Sequence, residues 1–193
     1  ASLRAILEVK NPKRTKVALF VDKEEVGSQG NTGMHGSFFE NMLAELFNLV
    51  SKHPELSVRR AMANARVLSA DVTAAFDPSF PDVFEKQNSA FAGCGLAIAK
   101  YTGSGGKGGC NDANAEFLQE VRATFDADKV VWQTGELGKV DAGGGGTIAY
   151  ILANKGAEVV DCGVPVLSMH APIELISKAD LYMAYKGYLS FLK

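Results

Sequence analysis

The segment Lys16–Ser28 brings ionisable side chains to the end of an apolar run. It reads KVALFVDKEEVGS, so the apolar stretch leads directly into Asp22, Lys23, Glu24 and Glu25. Ligands and catalytic groups of open α/β sheets collect where strands end. Two adjacent carboxylates at such a point can divide the work, because one can bind a metal ion while the other moves protons. The segment therefore predicts a metal-assisted acid–base centre.

Two further extended segments end in potential metal ligands. Asp71 follows RVLSA, and His170 follows VPVLSM. Because parallel strands bring their ends to one edge of a sheet, we expect Glu25, Asp71 and His170 to lie together. Carboxylates with an imidazole are typical of a hydrolytic zinc, cobalt or manganese site rather than a closed structural zinc. Taken singly, a solvated glutamate, an N-capping aspartate and a hydrogen-bonded structural histidine remain open alternatives.

Strands alternating with helices must position these side chains. Apolar runs bounded by turn residues predict strands around Val17–Val21 and at Arg66–Ala70, Leu96–Tyr101, Val130–Gln133, Glu158–Cys162 and Val164–Met169. Helical periodicity predicts helices at 1–10, Phe38–Val50, Val58–Ala65, Ala113–Phe125, Thr147–Ala153 and Lys178–Leu192. This alternation predicts an α/β fold with a mixed, mostly parallel central sheet and helices on both faces, a three-layer sandwich.

Composition narrows the class of protein. The chain has 193 residues, of which 47% are hydrophobic, enough for one domain or most of one. A net charge of −2 gives no electrostatic reason to expect nucleic acid or an anionic membrane as a partner. No apolar run reaches the length of a membrane-spanning helix. The scattered Cys94, Cys110 and Cys162 favour reduced thiols and a cytoplasmic location over a disulfide framework.

Two glycine-rich segments suggest alternatives to a metal enzyme. The residues Gly103–Gly108 satisfy G-x-G-x-x-G after a predicted strand, which is compatible with a phosphate- or dinucleotide-binding module. A hairpin or surface loop is favoured, because four more residues, Gly109 to Asp112, precede the predicted helix. The run Gly143–Gly146 before Thr147 predicts either an anion-binding helix N-terminus or close packing of the chain.

Four motifs occur in order along the chain: VDKEEVGSQGNTG, VLSADV, GELGKVDAGGGGTIAYILA and GVPVLSMHAPIEL. In this order they resemble the aspartyl aminopeptidase/aminopeptidase I family of metallopeptidases, in particular its bacterial branch. The match extends over almost the whole chain. The resemblance implies a cytoplasmic, large homo-oligomeric enzyme that removes N-terminal residues from peptides with a pair of zinc ions.

The resemblance also implies a role for each matched residue. Glu24 matches the general base, Glu25 and His170 match ligands of one zinc ion, and Asp71 matches a ligand of the second. Cobalt or manganese could replace zinc in such a donor set. The segment Phe76–Asn88 lacks the histidines that the eukaryotic branch carries there. A preference for neutral or hydrophobic N-terminal residues is therefore at least as plausible as one for acidic residues.

The family also uses an upstream histidine and a bridging aspartate that nothing in this chain matches. We therefore expect residues 1–193 to be the C-terminal portion of a metallopeptidase catalytic domain, without its N-terminal part and inserted dimerisation domain. Such a piece alone would bind metal weakly and would not turn over substrate. A non-catalytic assembly fragment of a peptidase is the remaining alternative.

Overall fold

The computed structural model describes residues 1–105, 107–139 and 141–193. The helices are α1 (Ser2–Glu8), α2 (Phe38–Asn48), α3 (Pro54–Ala63), α4 (Ala115–Ala127), α5 (Ala149–Ala153) and α6 (Lys178–Leu192). The strands are β1 (Arg66–Ser69), β2 (Thr73–Ala74), β3 (Leu96–Ala99), β4 (Tyr101–Ser104), β5 (Gly108–Asp112), β6 (Trp132–Thr134), β7 (Glu158–Gly163), β8 (Pro165–Leu167) and β9 (Leu175–Ile176). Short 3-10 turns span Glu24–Val26, Pro81–Val83 and Lys86–Asn88. None of the helices in these ranges has the length and apolar character needed to cross a bilayer.

The central sheet has four strands in the order β1-β7-β3-β6. The β1–β7 and β3–β6 pairs are parallel, and the β7–β3 pair is antiparallel. Strand β7 is buried along almost its whole length, as expected for an interior strand covered on both faces. The predicted mixed, mostly parallel sheet is confirmed.

Alternating side chains of β7 point into two separate cores. Val160 and Cys162 join a cluster with Phe125 and other residues of α1, α4 and α6. Val159 joins a second cluster with residues of α3 and α5, against which α2 packs. Since successive side chains of a strand face opposite sides of the sheet, these clusters are its two faces. Helices therefore cover both faces, which confirms the three-layer sandwich.

A second, smaller sheet continues from the first. Strands β2, β8 and β9 pair in that order, with β2 parallel to β8 and β9 antiparallel to it. The chain passes from β1 to β2 at Asp71 and from β7 to β8 at Gly163. A Cβ atom on Gly163 would lie only 1.3 Å from the backbone oxygen of Asp71, so only glycine fits at this crossing. The close approach fixes where Asp71 leaves the sheet.

The predicted strand around Val17–Val21 is wrong for the described residues. The segment has no regular secondary structure, and no strand in the described part of the chain pairs with it. Its alternation is still visible, because Leu19 and Val21 pack against the second core while Phe20 is 65% exposed. An alternating pattern reports which side chains are buried, whereas a strand also requires a hydrogen-bonded neighbour.

The start of the third helix also differs from its prediction. Helix α3 begins at Pro54 rather than Val58. Proline is tolerated in the first turn of a helix, because the amide hydrogen it lacks would have no partner inside the helix.

Candidate metal centre

The two adjacent glutamates lie in a tight turn that separates their environments. Glu24 and Glu25 begin a 3-10 turn, which is flanked by Lys23 at φ 68° and Gly27 at φ 76°, both in the left-handed region. The backbone amide of Ser28 closes this turn with a hydrogen bond of 2.7 Å to the carbonyl of Lys23. Glu24 is half-buried and Glu25 is exposed. The turn therefore directs neighbouring carboxylates to different surroundings.

His170 reaches Glu25 from the other end of the chain. Ser168 and His170 both have positive φ values, 59° and 66°, which are uncommon for residues other than glycine. The Glu174 carboxylate accepts a hydrogen bond of 2.6 Å from the His170 backbone amide and holds this turn. The His170 Nδ1 atom lies 3.6 Å from Glu25 Oε2, and both side chains are largely exposed. Two predicted ligands of one metal ion are thus brought together.

The charges of Glu25 and His170 affect the carboxyl groups of Asp71 and Glu24. Burial raises the pKa of the Asp71 carboxyl, and Glu25 raises it further, while a hydrogen bond from the Val72 amide and the charge of His170 oppose the change. Burial also raises the pKa of Glu24, with added contributions from Asp71 and Glu25 and opposition from His170. All four predicted site residues therefore lie near enough to influence one another.

Glu25 and His170 form a close pair and Asp71 lies near them, but these residues are not a complete set of metal ligands. Across the described ranges, no group of three or more His, Cys, Asp or Glu side chains is arranged to hold one metal ion. The chemistry of the donors, two carboxylates and one imidazole, fits zinc, cobalt or manganese. The approach of Glu25 and His170 is compatible with a shared cation, and Asp71 stays a predicted ligand.

A small cavity lined by Asp71 is also lined by Asp161, a residue that the motifs do not single out. Its volume is about 20 Å³, room for a single water molecule. Asp71, Thr102, Thr147 and Asp161 contribute to its lining. The sequence signal for Asp161 is a single charged residue inside the apolar run VVDCG, and neither spacing nor a flanking turn marks it as functional.

The first glycine-rich segment forms the turn of an antiparallel hairpin between β4 and β5. Within the segment, Gly106 lies outside the described residues. Helix α4 begins only at Ala115, so the glycines do not open a helix as a dinucleotide-binding loop would. Lys100, just before the hairpin, forms an ion pair with Asp112 at its other end. The hairpin interpretation is supported by this geometry.

The second glycine run packs against that hairpin through its backbone. The carbonyls of Gly145 and Gly143 accept hydrogen bonds of 3.0 and 2.9 Å from the amides of Gly103 and Gly105. A Cβ atom on Gly144 would lie 2.2 Å from the Gly103 oxygen. Close packing therefore explains the glycine at position 144.

The mixed α/β sandwich, with helices on both faces of its sheet, matches the fold of solved aminopeptidase I structures. A model of the aminopeptidase I zinc metalloprotease (M18) family matches residues 1–192. The chain belongs to this family, which confirms the resemblance found in its four motifs. It spans 36% to 43% of the length of the relatives described next.

The relatives agree in sequence and in structure. A protein named "Probable M18 family aminopeptidase 1" from Clostridium acetobutylicum is 56% identical over 191 residues, which cover 99% of this chain and 41% of that protein. The crystal structure of an M18 aminopeptidase from Thermotoga maritima has a TM-score of 0.95 at 42% identity, covering 100% of this chain and 43% of that chain. The S. cerevisiae mApe1 dodecamer shares the fold, with a TM-score of 0.65 at 22% identity over 89% of this chain and 36% of that chain.

Proposed function

We propose that the protein containing this chain is a metal-dependent aminopeptidase that hydrolyses N-terminal residues from peptides. In this proposal Glu24 is the general base, Glu25 and His170 are ligands of one zinc ion, and Asp71 is a ligand of a second. The observation that carries it is the 3.6 Å approach of His170 to Glu25, from opposite ends of the chain, beside Glu24 and Asp71. Membership of a family of zinc metalloproteases supports the choice of metal.

The environments of the two glutamates suit different tasks. Two bound zinc ions would acidify a shared water molecule and polarise the scissile carbonyl group. Glu24, half-buried and with a raised pKa, would take the proton of that water and deliver it to the leaving amine. Glu25, exposed and beside His170, is free to donate its oxygen atoms to a cation.

The remaining ligands would come from other parts of the protein. In this proposal the chain supplies two ligands of one ion and one ligand of the other. This agrees with the finding that no group of three donors occurs among the described residues. The chain covers 41% of its Clostridium acetobutylicum relative, so a larger protein has room for an upstream histidine and a bridging aspartate. We expect residues 1–193 alone to bind zinc weakly and to lack turnover.

Oligomeric state, location and substrate preference belong to the same proposal. The S. cerevisiae mApe1 dodecamer, which shares the fold, supports a homo-oligomer. The scattered cysteines support a reducing, cytoplasmic location. Peptides with neutral or hydrophobic N-terminal residues are the substrates to try first.

The test compares the full-length protein with its Glu24→Gln variant. Glutamine keeps the size of the side chain but cannot accept a proton, so we expect turnover of a leucyl peptide to fall about 100-fold to 10,000-fold. Zinc content, measured by atomic emission after gel filtration, should stay unchanged because Glu24 is not a ligand. The matched control is Glu116→Gln, an exposed glutamate of α4, which should keep full activity.

Two results would overturn the proposal. One is full turnover by the Glu24→Gln variant, and the other is turnover by the wild-type protein after complete removal of metal. A peptide with an acetylated N-terminus should resist cleavage, since an aminopeptidase requires the free amine.

A further inference from the structure

A buried carboxylate lies behind Asp71 and has no part in the proposed reaction. Asp161 of β7 is only 6% exposed. It is in register with Ser69 of β1 on one side and with Ala99 of β3 on the other. Because Asp71 follows Ser69 by two residues, both carboxylates lie at the same end of the sheet. They line the same cavity of about 20 Å³.

Two hydroxyl groups hold the Asp161 carboxylate. The Thr147 hydroxyl donates to Oδ1 at 2.6 Å, and the Thr102 hydroxyl donates to Oδ2 at 3.1 Å. The Thr147 oxygen also accepts a hydrogen bond from the Ala149 amide at 3.1 Å, so its single proton is directed to Asp161. The carboxylate thereby links β7 to the start of α5 and to β4.

The donors to the Asp161 carboxylate are neutral hydroxyl groups. Among the residues in the described ranges, no Lys, Arg or His forms an ion pair with it. Burial raises its pKa, hydrogen bonds from the hydroxyls of Thr147 and Thr102 lower it, and the charge of Asp71 raises it again. A buried carboxylate that has only neutral donors and an anionic neighbour is unfavourable until a cation arrives.

We propose that Asp161 is a positioning residue for the metal centre. Its carboxylate favours a cation near the cavity that Asp71 also lines, and its hydroxyl contacts hold β7 two residues before Gly163, where the chain passes the Asp71 carbonyl. The inference rests on the proposed metal-binding role of Asp71. Asp161 need not touch the metal for this role, because Asp71, which lines the same cavity, is the proposed ligand. Residues that support a metal ligand in this way commonly change metal affinity when they are replaced.

The test measures zinc affinity rather than turnover. Competition between the full-length protein and a chromogenic zinc chelator gives the dissociation constant of zinc. We expect Asp161→Asn to weaken zinc binding about 10-fold to 100-fold. The matched control is Asp180→Asn, because Asp180 is also buried and accepts hydrogen bonds from the amides of Gly93 and Gly95 at 2.6 and 2.8 Å. Asp180 does not line the cavity, so its variant should lose stability and keep its zinc affinity.

The outcomes separate this inference from the proposed function. Unchanged zinc affinity in a folded Asp161→Asn protein overturns the positioning role, whereas a wild-type protein without zinc affinity overturns the proposed function instead. An equal loss of affinity in Asp180→Asn also overturns the positioning role, because loss of buried charge anywhere would then suffice. If circular dichroism shows that Asp161→Asn does not fold, Thr147→Val and Thr147→Ser replace it. The serine variant keeps the hydroxyl and should bind zinc more tightly than the valine variant, and equal affinities would overturn the inference.

Discussion

The two faces of the central sheet differ in how completely their side chains are buried. On the face covered by α1, α4 and α6, Phe125, Leu96 and Ile98 are fully buried. On the opposite face, α2 contributes no fully buried residue, and Leu49 and Val50 just after it are 80% and 81% exposed. Burial of apolar area is the main favourable term in folding. We therefore expect the first face to contribute more to the stability of this chain than the second.

The candidate chemistry lies with the less buried face and at the ends of the strands. The segment that carries Glu24 and Glu25 is preceded by Leu19 and Val21, which pack against the second core, and is followed by Met34 of that core. Burial penalises the charged form of Glu24, as it does that of Asp71. The comparison teaches that substitutions on the first face should change stability, whereas those at the strand ends should change metal binding and turnover.

The largest expected effect tests the packing difference directly. Phe125→Ala removes a fully buried ring from the first core and should lower the free energy of unfolding by about 3 to 5 kcal/mol. Phe38→Ala is the matched control, because the Phe38 ring is 68% exposed and its removal should change stability by about 0.5 kcal/mol or less. Urea denaturation of the full-length protein measures both.

An equally large loss in Phe38→Ala would break the comparison. It would mean that the side of the chain occupied by α2 is buried in solution, and that the two faces contribute alike.

The next prediction concerns the crossing where the core meets the site. Gly163→Ala would place a methyl group 1.3 Å from the Asp71 oxygen, so the backbone must shift. We expect a loss of about 1 to 3 kcal/mol in the free energy of unfolding, together with weaker zinc binding because Asp71 is displaced. Gly146→Ala is the control, since its nearest neighbour would be 3.6 Å away, an ordinary contact. A Gly163→Ala protein with wild-type stability would show that the crossing is not tightly packed.

The fold could be predicted from the sequence where local and tertiary signals agree. Helix α6 was predicted at Lys178–Leu192, and the structure has the same bounds, since the Ser177 hydroxyl accepts a hydrogen bond from the Asp180 amide and caps its first turn. The segment Val17–Val21 has an equally clear alternation but no partner strand, and pairing cannot be read from one segment alone. The pairing of strands thus depends on segments that are distant in the sequence.

The residues of the candidate site also differ in whether the sequence could identify them. Glu24, Glu25 and His170 could be selected because they follow apolar runs within distinctive motifs. Asp161 could not, because a single carboxylate in a buried strand has no spacing pattern, and its partners come from distant segments. The motifs pointed to the candidate residues, whereas the buried carboxylate beside Asp71 could be found only from the structure.

The smallest expected effect is a pH dependence on the first face. Glu8 of α1 accepts hydrogen bonds from the Tyr185 hydroxyl of α6 and from the Arg4 guanidinium. The Tyr185 contact, and then Arg4, lower the pKa of Glu8 below its ordinary value of 4.5. A lowered pKa in the folded state means that the stabilisation is present above pH 4.5 and is lost as the pH falls through the lowered value. We expect the wild-type protein to melt at a slightly higher temperature than Glu8→Gln at pH 7.

Measurements over a range of pH compare the effect of ionising Glu8 with the effect of ionising the site residues. The difference in melting temperature between wild type and Glu8→Gln should shrink as the pH is lowered from 7 to 3, while Glu116→Gln, the control on α4, should follow the wild type. Burial shifts the pKa values of Glu24 and Asp71 in the opposite direction, so ionisation of those groups opposes folding where ionisation of Glu8 favours it. A difference that grows at low pH would mean that Glu8 is destabilising when charged. Ionisation would then oppose folding both on the first face and at the site, contrary to the expected difference.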